Sequence, residues 1–331
     1  MTLATRRDQP LARLHIVSGK GGTGKTTVAA ALALALASEG KKVLVCEVEG
    51  RQGLASLFDV APLPYAERRV AVGPDNGGEV HALAIDTEAA LLEYLDMFYR
   101  LGRAGKALDR FGVIDFATTV APGVRDVLLI GKVFEATQRQ AAGRPAYDAV
   151  VLDAPPTGRI GKFLNVNTEV AGIAKVGPIR KQATSIMRLL TSPQAHVHLV
   201  TSLEEMPVQE TLDAIDELAR LGLRLGSVIV NRMRTPELPA QALADAARGR
   251  LDEGRIEASL KEAGIKADAS VIAGLLDAGQ QHAERVALEV EQRRRLDDLG
   301  SAVVTLPYLA DGVDLGDLYE LAADLRASGE F

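Results

Sequence analysis

A loop of glycines, lysines and threonines carries the clearest chemical signal in the sequence. From Gly19 to Thr26 it reads G-K-G-G-T-G-K-T, which fits G-x-x-x-x-G-K-[ST] between an apolar segment and a helical one. Glycines let backbone N–H groups surround a phosphate, and the following helix directs its positive end at the same anion. We expect Lys25 to reach the β- and γ-phosphates and Thr26 to ligate Mg²⁺. The predicted nucleotide-binding residues of the loop are Gly19, Lys20, Gly21, Gly22, Thr23, Gly24, Lys25, Thr26 and Thr27.

Carboxylates follow two apolar segments, where they could face the phosphate loop. Glu47 and Glu49 are two residues apart at the end of one predicted strand, so their side chains project to the same side. This position suits a catalytic group that orients the attacking water, and a strand end with only a hydration role is the alternative. Asp153 ends another apolar run, and we expect it to reach the Mg²⁺ shell through water.

Apolar segments bounded by turn residues alternate with helical patterns along the chain. Near-continuous Val, Ile and Leu runs predict an α/β fold with a mostly parallel central sheet and helices on both faces. The predicted strands are Leu14–Ser18, Lys42–Glu47, Val80–Ile85, Asp148–Leu152, His196–Thr201, Ser227–Val230 and Ala302–Leu306. No repeat or linker divides the chain, so residues 1–331 are expected to form one P-loop domain, with helical insertions at about 86–146, 165–193 and 236–279.

The composition excludes several kinds of site and partner. A formal net charge of −6 over 331 residues gives no positive electrostatic potential that would attract nucleic acid, so no nucleic-acid partner is expected. The single cysteine, Cys46, excludes an intrachain disulfide, an all-cysteine zinc site and an iron–sulfur cluster held by the chain's own thiolates. The longest apolar stretch, Val28 to Ala37, is about half of a membrane span. We therefore expect a cytoplasmic protein that reaches a membrane only through a partner.

The loop contains a second lysine, Lys20, in addition to the one that the pattern requires. This form resembles the deviant P-loop of the SIMIBI ATPases, the class that includes MinD, ParA, the nitrogenase iron protein and the ArsA-type ATPases. The resemblance implies a catalytic Lys20 that crosses a dimer interface to the partner's nucleotide, and a dimer that encloses two ATP molecules. A solvated loop lysine is the alternative.

Two further segments resemble one family within that class. The residues from Glu49 to Phe58 read E-G-R-Q-G-L-A-S-L-F, similar to D-P-A-H-N-L-x-D-x-F. Those from Asp153 to Leu164 read D-A-P-P-T-G-R-I-G-K-F-L, similar to D-T-A-P-T-G-H-T-x-R-x-L. The chain is identified as a member of the ArsA and tail-anchored-protein-targeting ATPase family. Glu49 then occupies the place of the catalytic aspartate, which could mean slow turnover, altered geometry or no loss of activity. Arg159 stands where the family has a histidine, so any role of that histidine does not transfer to this chain.

Weaker motifs continue the resemblance toward the end of the chain. Asn231 resembles the strand-end asparagine that hydrogen-bonds the adenine edge, although such an asparagine is more often a turn former. Pro307 lies in a segment that resembles the loop closing over the base. The metalloid-binding cysteines and the zinc clip of other family members are absent, because no cysteine follows Cys46. The resemblance therefore implies a bacterial single-domain member without bound zinc.

The resemblance implies a dimeric ATPase whose Mg-ATP state is coupled to a client protein or membrane partner. The dimer could be a homodimer or a heterodimer with a paralogous ATPase. An ATP-binding regulatory subunit with weak hydrolysis of its own is the second hypothesis, since Glu49 departs from aspartate. A positioning ATPase of the MinD or ParA type is less favoured, because the stretch from Asp311 to Phe331 is acidic rather than basic.

Overall fold

The computed structural model describes residues 12–74, 77–99, 122–166, 178–310 and 312–331. Its strands are β1 (Leu14–Gly19), β2 (Lys42–Glu47), β3 (Arg68–Val72), β4 (Glu79–Ala84), β5 (Gln140–Ala141), β6 (Arg144–Pro145), β7 (Ala149–Asp153), β8 (Ala195–Thr201), β9 (Leu225–Met233) and β10 (Ala302–Pro307). Strands β5 and β6 form a small hairpin, and the others form one sheet in the spatial order β10-β9-β8-β1-β7-β2-β4-β3. All neighbours in this sheet are parallel except β3, which is antiparallel to β4.

Helices cover both faces of the sheet. They are α1 (Lys25–Leu36), α2 (Gly53–Leu57), α3 (Thr87–Tyr99), α4 (Pro122–Gln138), α5 (Thr157–Leu164), α6 (Pro178–Leu190), α7 (Glu205–Arg220), α8 (Ala240–Ala246), α9 (Glu253–Glu262), α10 (Ala269–Asp297) and α11 (Leu315–Ala327). One hydrophobic core lies between the sheet and α1, α2 and α11, and another lies beneath α3 to α7. The α/β fold with a mostly parallel sheet is thereby confirmed.

The central strands form where the sequence has buried apolar runs. All residues of β1 and β7 are buried, as expected for strands that are covered on both faces. Because β1, β7 and β2 are parallel neighbours, their carboxyl ends meet at one edge of the sheet. That edge carries Gly19, Glu47 and Asp153, so the topology brings the phosphate loop and two carboxylates together.

The edge strand β3 is not among the seven predicted strands, so the predicted set was incomplete. Its residues are exposed or half-buried and begin with Arg68 and Arg69, so it lacks the apolar run that marks the interior strands. Charged residues on an edge strand are common because they discourage pairing with other chains. Each of the seven predicted strands is present, with ends displaced by at most three residues.

The segments proposed as insertions hold helices where the structure describes them. Helices α3 and α4 lie within 86–146, α6 within 165–193, and α8, α9 and the start of α10 within 236–279. Within the first of these segments, Leu91 on α3 is buried in the core. Met206, at the start of α7, lies outside the three segments and is 59% exposed. No helix among the described residues is long and apolar enough to cross a membrane.

Candidate nucleotide-binding site

The phosphate loop leaves β1 in the middle of the sheet and runs directly into α1. Gly19 ends β1, and a Cβ on it would come within 2.1 Å of the carbonyl oxygen of Val200 in β8. Gly24 precedes α1 at φ +87°, in the left-handed region, and Lys25 is the first helical residue. The buried Lys25 and the N-terminus of α1 therefore serve the same site.

The rest of the loop forms a closed turn. Gly21 and Gly22 are exposed, and the hydroxyl of Thr23 donates a hydrogen bond to the carbonyl oxygen of Lys20 at 2.8 Å. The side-chain Nδ2 of Asn231 donates to the carbonyl oxygen of Thr23 at 2.9 Å. Asn231 is buried within β9, so its interpretation as a turn former was wrong. Its amide instead supports the loop from the neighbouring strand.

The Gly24→Ala substitution should weaken ATP binding roughly 5- to 100-fold. A Cβ at this position would lie 2.4 Å from Nδ2 of Asn231, and alanine is strained at φ +87°. Strain of this kind costs about 1–3 kcal/mol, and each 1.4 kcal/mol corresponds to a tenfold change in affinity. Equilibrium binding of a fluorescent ATP analogue measures the effect. Gly274→Ala, at an exposed position of α10, is the matched control, because a Cβ there meets nothing within 4 Å and lies outside the phosphate loop. Equal affinities in the two variants would contradict the prediction.

Asp153 lies beside the first turn of α1. The hydroxyl of Thr26 donates to its Oδ2 at 2.7 Å. Burial raises the pKa of Asp153 to about 6; the Thr26 hydrogen bond and the charge of Lys25 oppose the rise, whereas Glu47 and Glu49 add to it. Two carboxylates next to a buried carboxyl create a strongly negative site, which a bound cation would neutralise.

The same oxygen atoms are suited to a hard divalent cation. Thr26 and Asp153 offer hydroxyl and carboxylate oxygens, the ligand types that Mg²⁺ prefers. Glu47 is 2% exposed, and its Oε1 is buried without a hydrogen-bond partner. Within the described residues, no group of three or more His, Cys, Asp or Glu side chains is arranged to hold a metal ion. An ion here would take its remaining ligands from nucleotide phosphates and water.

Glu49 lies two residues beyond Glu47, just past the end of β2, and a quarter of its side chain is exposed. Its Oε2 is 3.9 Å from Nε of Arg51. Glu49 lines a cavity of about 70 Å³, and Arg159 and Asp126 form an ion pair at 3.7 Å in the wall of that cavity. Arg159 therefore links α5 to α4, a contact that was not predicted from the sequence.

Lys20 pairs with Glu210 on α7. The other carboxylate oxygen of Glu210, Oε2, accepts a hydrogen bond from the hydroxyl of Thr157 at 3.0 Å. Thr157 begins α5 and belongs to the segment Asp153–Lys162, called the switch segment below after the role proposed for it there. The alternative of a merely solvated Lys20 is therefore wrong for this structure: one carboxylate connects the phosphate loop to the switch segment.

A cavity of about 620 Å³ opens next to the loop, between the carboxyl ends of β9 and β10. Asn231, Pro307 and Thr27 line it, so the structure brings the two predicted base-contacting residues together with the loop. At its rim, the guanidinium of Arg234 lies 4.2 Å from the ring centroid of Tyr308, a cation–π contact. Arg234, three residues after Asn231, was not among the predicted site residues.

Comparison with known proteins agrees with this geometry. A family model described as anion-transporting ATPase matches residues 12–198, more than half of the chain. The chain belongs to this family. The match contains the phosphate loop, Glu49 and Asp153, whereas Asn231 and Pro307 lie beyond it. ATPase-named relatives extend the similarity, and the protein is an ATPase that acts on a nucleotide substrate.

Three relatives define how far the similarity extends. ATPase BagA of Mycobacterium tuberculosis strain H37Rv is 55% identical over 318 residues, covering 96% of this chain and 93% of that protein. An arsenical pump-driving ATPase of Acidiphilium multivorum is 26% identical over 246 residues, covering 70% of this chain and 41% of that protein. The ATPase GET3 of Eremothecium gossypii is 26% identical over 251 residues, covering 66% of this chain and 70% of that protein.

Proposed function

We propose that the protein hydrolyses Mg-ATP as a dimer and that its nucleotide state controls its affinity for a client protein or membrane partner. The contacts of Glu210 carry this proposal. Glu210 binds both Lys20 and Thr157. If the Lys20 side chain moves to the nucleotide of a second subunit, it must break its ion pair with the carboxylate that also binds Thr157. Dimer closure and rearrangement of the switch segment are then coupled events.

Each predicted site residue has a chemical task in this proposal. Lys25 and Lys20 of the partner subunit stabilise the negative charge that develops on the transferring phosphoryl group. Glu49 orients the attacking water. Thr26 and Asp153 would hold Mg²⁺, which when bound would supply further charge neutralisation at the phosphates. Asn231 and Pro307 bind the base in the 620 Å³ cavity.

A protein or membrane client is favoured over a metalloid cargo. Metalloid binding through thiolates needs accessible cysteines that lose their protons. Cys46 is fully buried in β2, and burial raises the pKa of its thiol well above the ordinary value. In this proposal, the helices around the switch segment bind or release the client. The ion pair between Arg159 and Asp126 joins α5 to α4, so a change in the switch segment can reach α4.

The second candidate is a regulatory subunit that binds ATP but hydrolyses little of it alone. The longer Glu49 in the place of aspartate favours it, because moving a catalytic group by about 1 Å can cost roughly 100-fold in rate. In that case the productive dimer would contain a paralogous ATPase that supplies the competent catalytic carboxylate.

Substitution of Lys20 and Glu49 separates the two candidates. A self-sufficient ATPase should form a homodimer with Mg-ATP, and both Lys20→Ala and Glu49→Gln should lower phosphate release about 100-fold. Light scattering measures the mass, and a phosphate-release assay measures turnover. Glu39→Gln, at an exposed site after α1, is the matched control for Glu49→Gln. A monomer that binds ATP with negligible release would contradict the homodimer and favour a paralogous partner.

A further inference from the structure

Glu47 is a buried carboxylate to which no part of the proposed mechanism assigns a task. It is the last residue of β2 and is 2% exposed. One oxygen, Oε2, accepts a hydrogen bond from the backbone N–H of Leu54 at 3.1 Å, while Oε1 has no partner. A buried carboxylate oxygen without a partner is costly, so its retention needs an explanation.

The surroundings of Glu47 place it against the proposed magnesium site. Glu47 and Asp153 are directly paired residues of the parallel strands β2 and β7, so their side chains stand on the same face of the sheet. The hydrogen bond to Leu54 also fixes the start of α2 next to Thr26, because a Cβ on Gly53 would come within 3.0 Å of Cγ2 of Thr26. Glu47 therefore faces the same space as Thr26 and Asp153.

We propose that Glu47 is a second acidic residue of the magnesium site, with Oε1 accepting a hydrogen bond from water in the ion's coordination shell. Oε2 meanwhile positions α2 against Thr26, so one side chain both supplies negative charge to the cation and orients a neighbouring ligand. Such outer-shell groups typically change metal affinity 10- to 100-fold. The ligand class is a divalent cation with oxygen coordination, bound together with a nucleotide. This inference rests on the proposed use of Mg-ATP.

The Glu47→Gln substitution tests the inference without relying on turnover. Glutamine can still accept the hydrogen bond from Leu54, but it removes the negative charge from the site. Mn²⁺ binding to the full-length protein, saturated with ADP, is followed by electron paramagnetic resonance. We expect the Mn²⁺ dissociation constant to rise 10- to 100-fold, while ADP affinity in EDTA is not weakened and the melting temperature of the nucleotide-free protein is not lowered. Glu47→Asp, which keeps the charge, should restore part of the Mn²⁺ affinity.

Two controls separate this inference from a structural role and from failure of the proposed function. Glu79→Gln changes the same residue type on the neighbouring strand β4, at the opposite end of the sheet, and should leave Mn²⁺ affinity as in the wild type. A lower melting temperature with unaltered Mn²⁺ affinity in Glu47→Gln would overturn the inference and assign Glu47 to folding alone. If the wild-type ADP complex itself binds no Mn²⁺, the proposed Mg-ATP function fails as well.

Discussion

Replacing Lys25 with alanine is expected to lower ATP turnover by roughly 1000-fold or more. Lys25 is the first residue of α1 and is only 8% exposed, so its ammonium acts in a site from which most water is excluded. A charge in such a site interacts with phosphate oxygens far more strongly than it would in water. The negative charge of Asp153, which Lys25 partly offsets, makes the loss of this positive charge more severe.

Steady-state phosphate release at saturating ATP measures the effect. Lys41→Ala is the control, since Lys41 lies at the opposite end of the sheet, before β2, where it pairs with the exposed Glu39 at 3.3 Å. Such surface pairs contribute little, so the control should retain wild-type turnover. A Lys25→Ala protein that remains folded and within tenfold of wild-type turnover would show that the nucleotide site is elsewhere.

The protein should lose stability as the pH falls below 6.5, because two buried histidines must both stay neutral to keep their hydrogen bonds. The backbone N–H of Ser227 donates to Nδ1 of His198 at 3.2 Å, which makes Nε2 of His198 the protonated nitrogen. That Nε2 lies 3.1 Å from Nδ1 of His15, and Nε2 of His15 lies 2.9 Å from the carbonyl oxygen of Ala12. Every nitrogen already has its donor or acceptor role, so neither ring can accept a proton without losing a hydrogen bond.

The direction of the pH effect follows from the two pKa values. Burial lowers the pKa of His15 to about 4 and that of His198 well below 6.5, and the neighbouring His196 contributes to both shifts. The unfolded chain therefore binds more protons than the folded one below about 6.5. The stability that the neutral histidines contribute is complete above pH 6.5 and is lost as the pH falls to about 4. Each histidine contributes a slope of about 1.4 kcal/mol per pH unit, or about 3 kcal/mol for His15 over this range. Asp153, whose pKa is raised to about 6, contributes a slope of the opposite sign below that pH, so the net loss of stability there is smaller.

Urea unfolding at pH values from 7.5 to 5 measures this loss. His15→Leu should be less stable than the wild type at pH 7.5, because Ala12 and His198 lose a hydrogen-bond partner, yet its stability should fall less steeply with pH. His282→Gln, on the surface helix α10, should keep the wild-type slope. Equal slopes for His15→Leu and the wild type would refute the assignment of the acid sensitivity to this pair.

The fold and the centre of the site were predictable because their signals are local. The strand, loop and helix around Gly19 to Thr26 follow one another within a short segment, and the apolar runs of β2 and β7 end directly in their carboxylates. Edge strand β3 was missed since an exposed strand carries no comparable apolar run. Its pairing with β4, rather than its own composition, makes it a strand.

The contacts that link the phosphate loop and its carboxylates to other elements join residues that are far apart in the sequence, and sequence patterns do not reveal them. Lys20 and Glu210 are 190 residues apart, and their pairing follows from the packing of α7 against the sheet. Glu47 was noted with Glu49 as a paired carboxylate, but only the register of β2 against β7 places it beside Asp153. Burial of its unpaired oxygen is a tertiary property that spacing alone does not reveal.

Lys20 is proposed to complete the active site of a second subunit, and a mixture of two inactive variants tests this proposal. Lys20→Ala retains Glu49 but supplies no lysine to its partner, whereas Glu49→Gln supplies Lys20 but cannot orient water in its own site. Each protein alone should release little phosphate. An equimolar mixture should recover about a quarter of wild-type turnover, because random pairing makes half of the dimers mixed, each with one competent site of two. A mixture as inactive as its components, with mixed dimers present by native mass measurement, would contradict the claim.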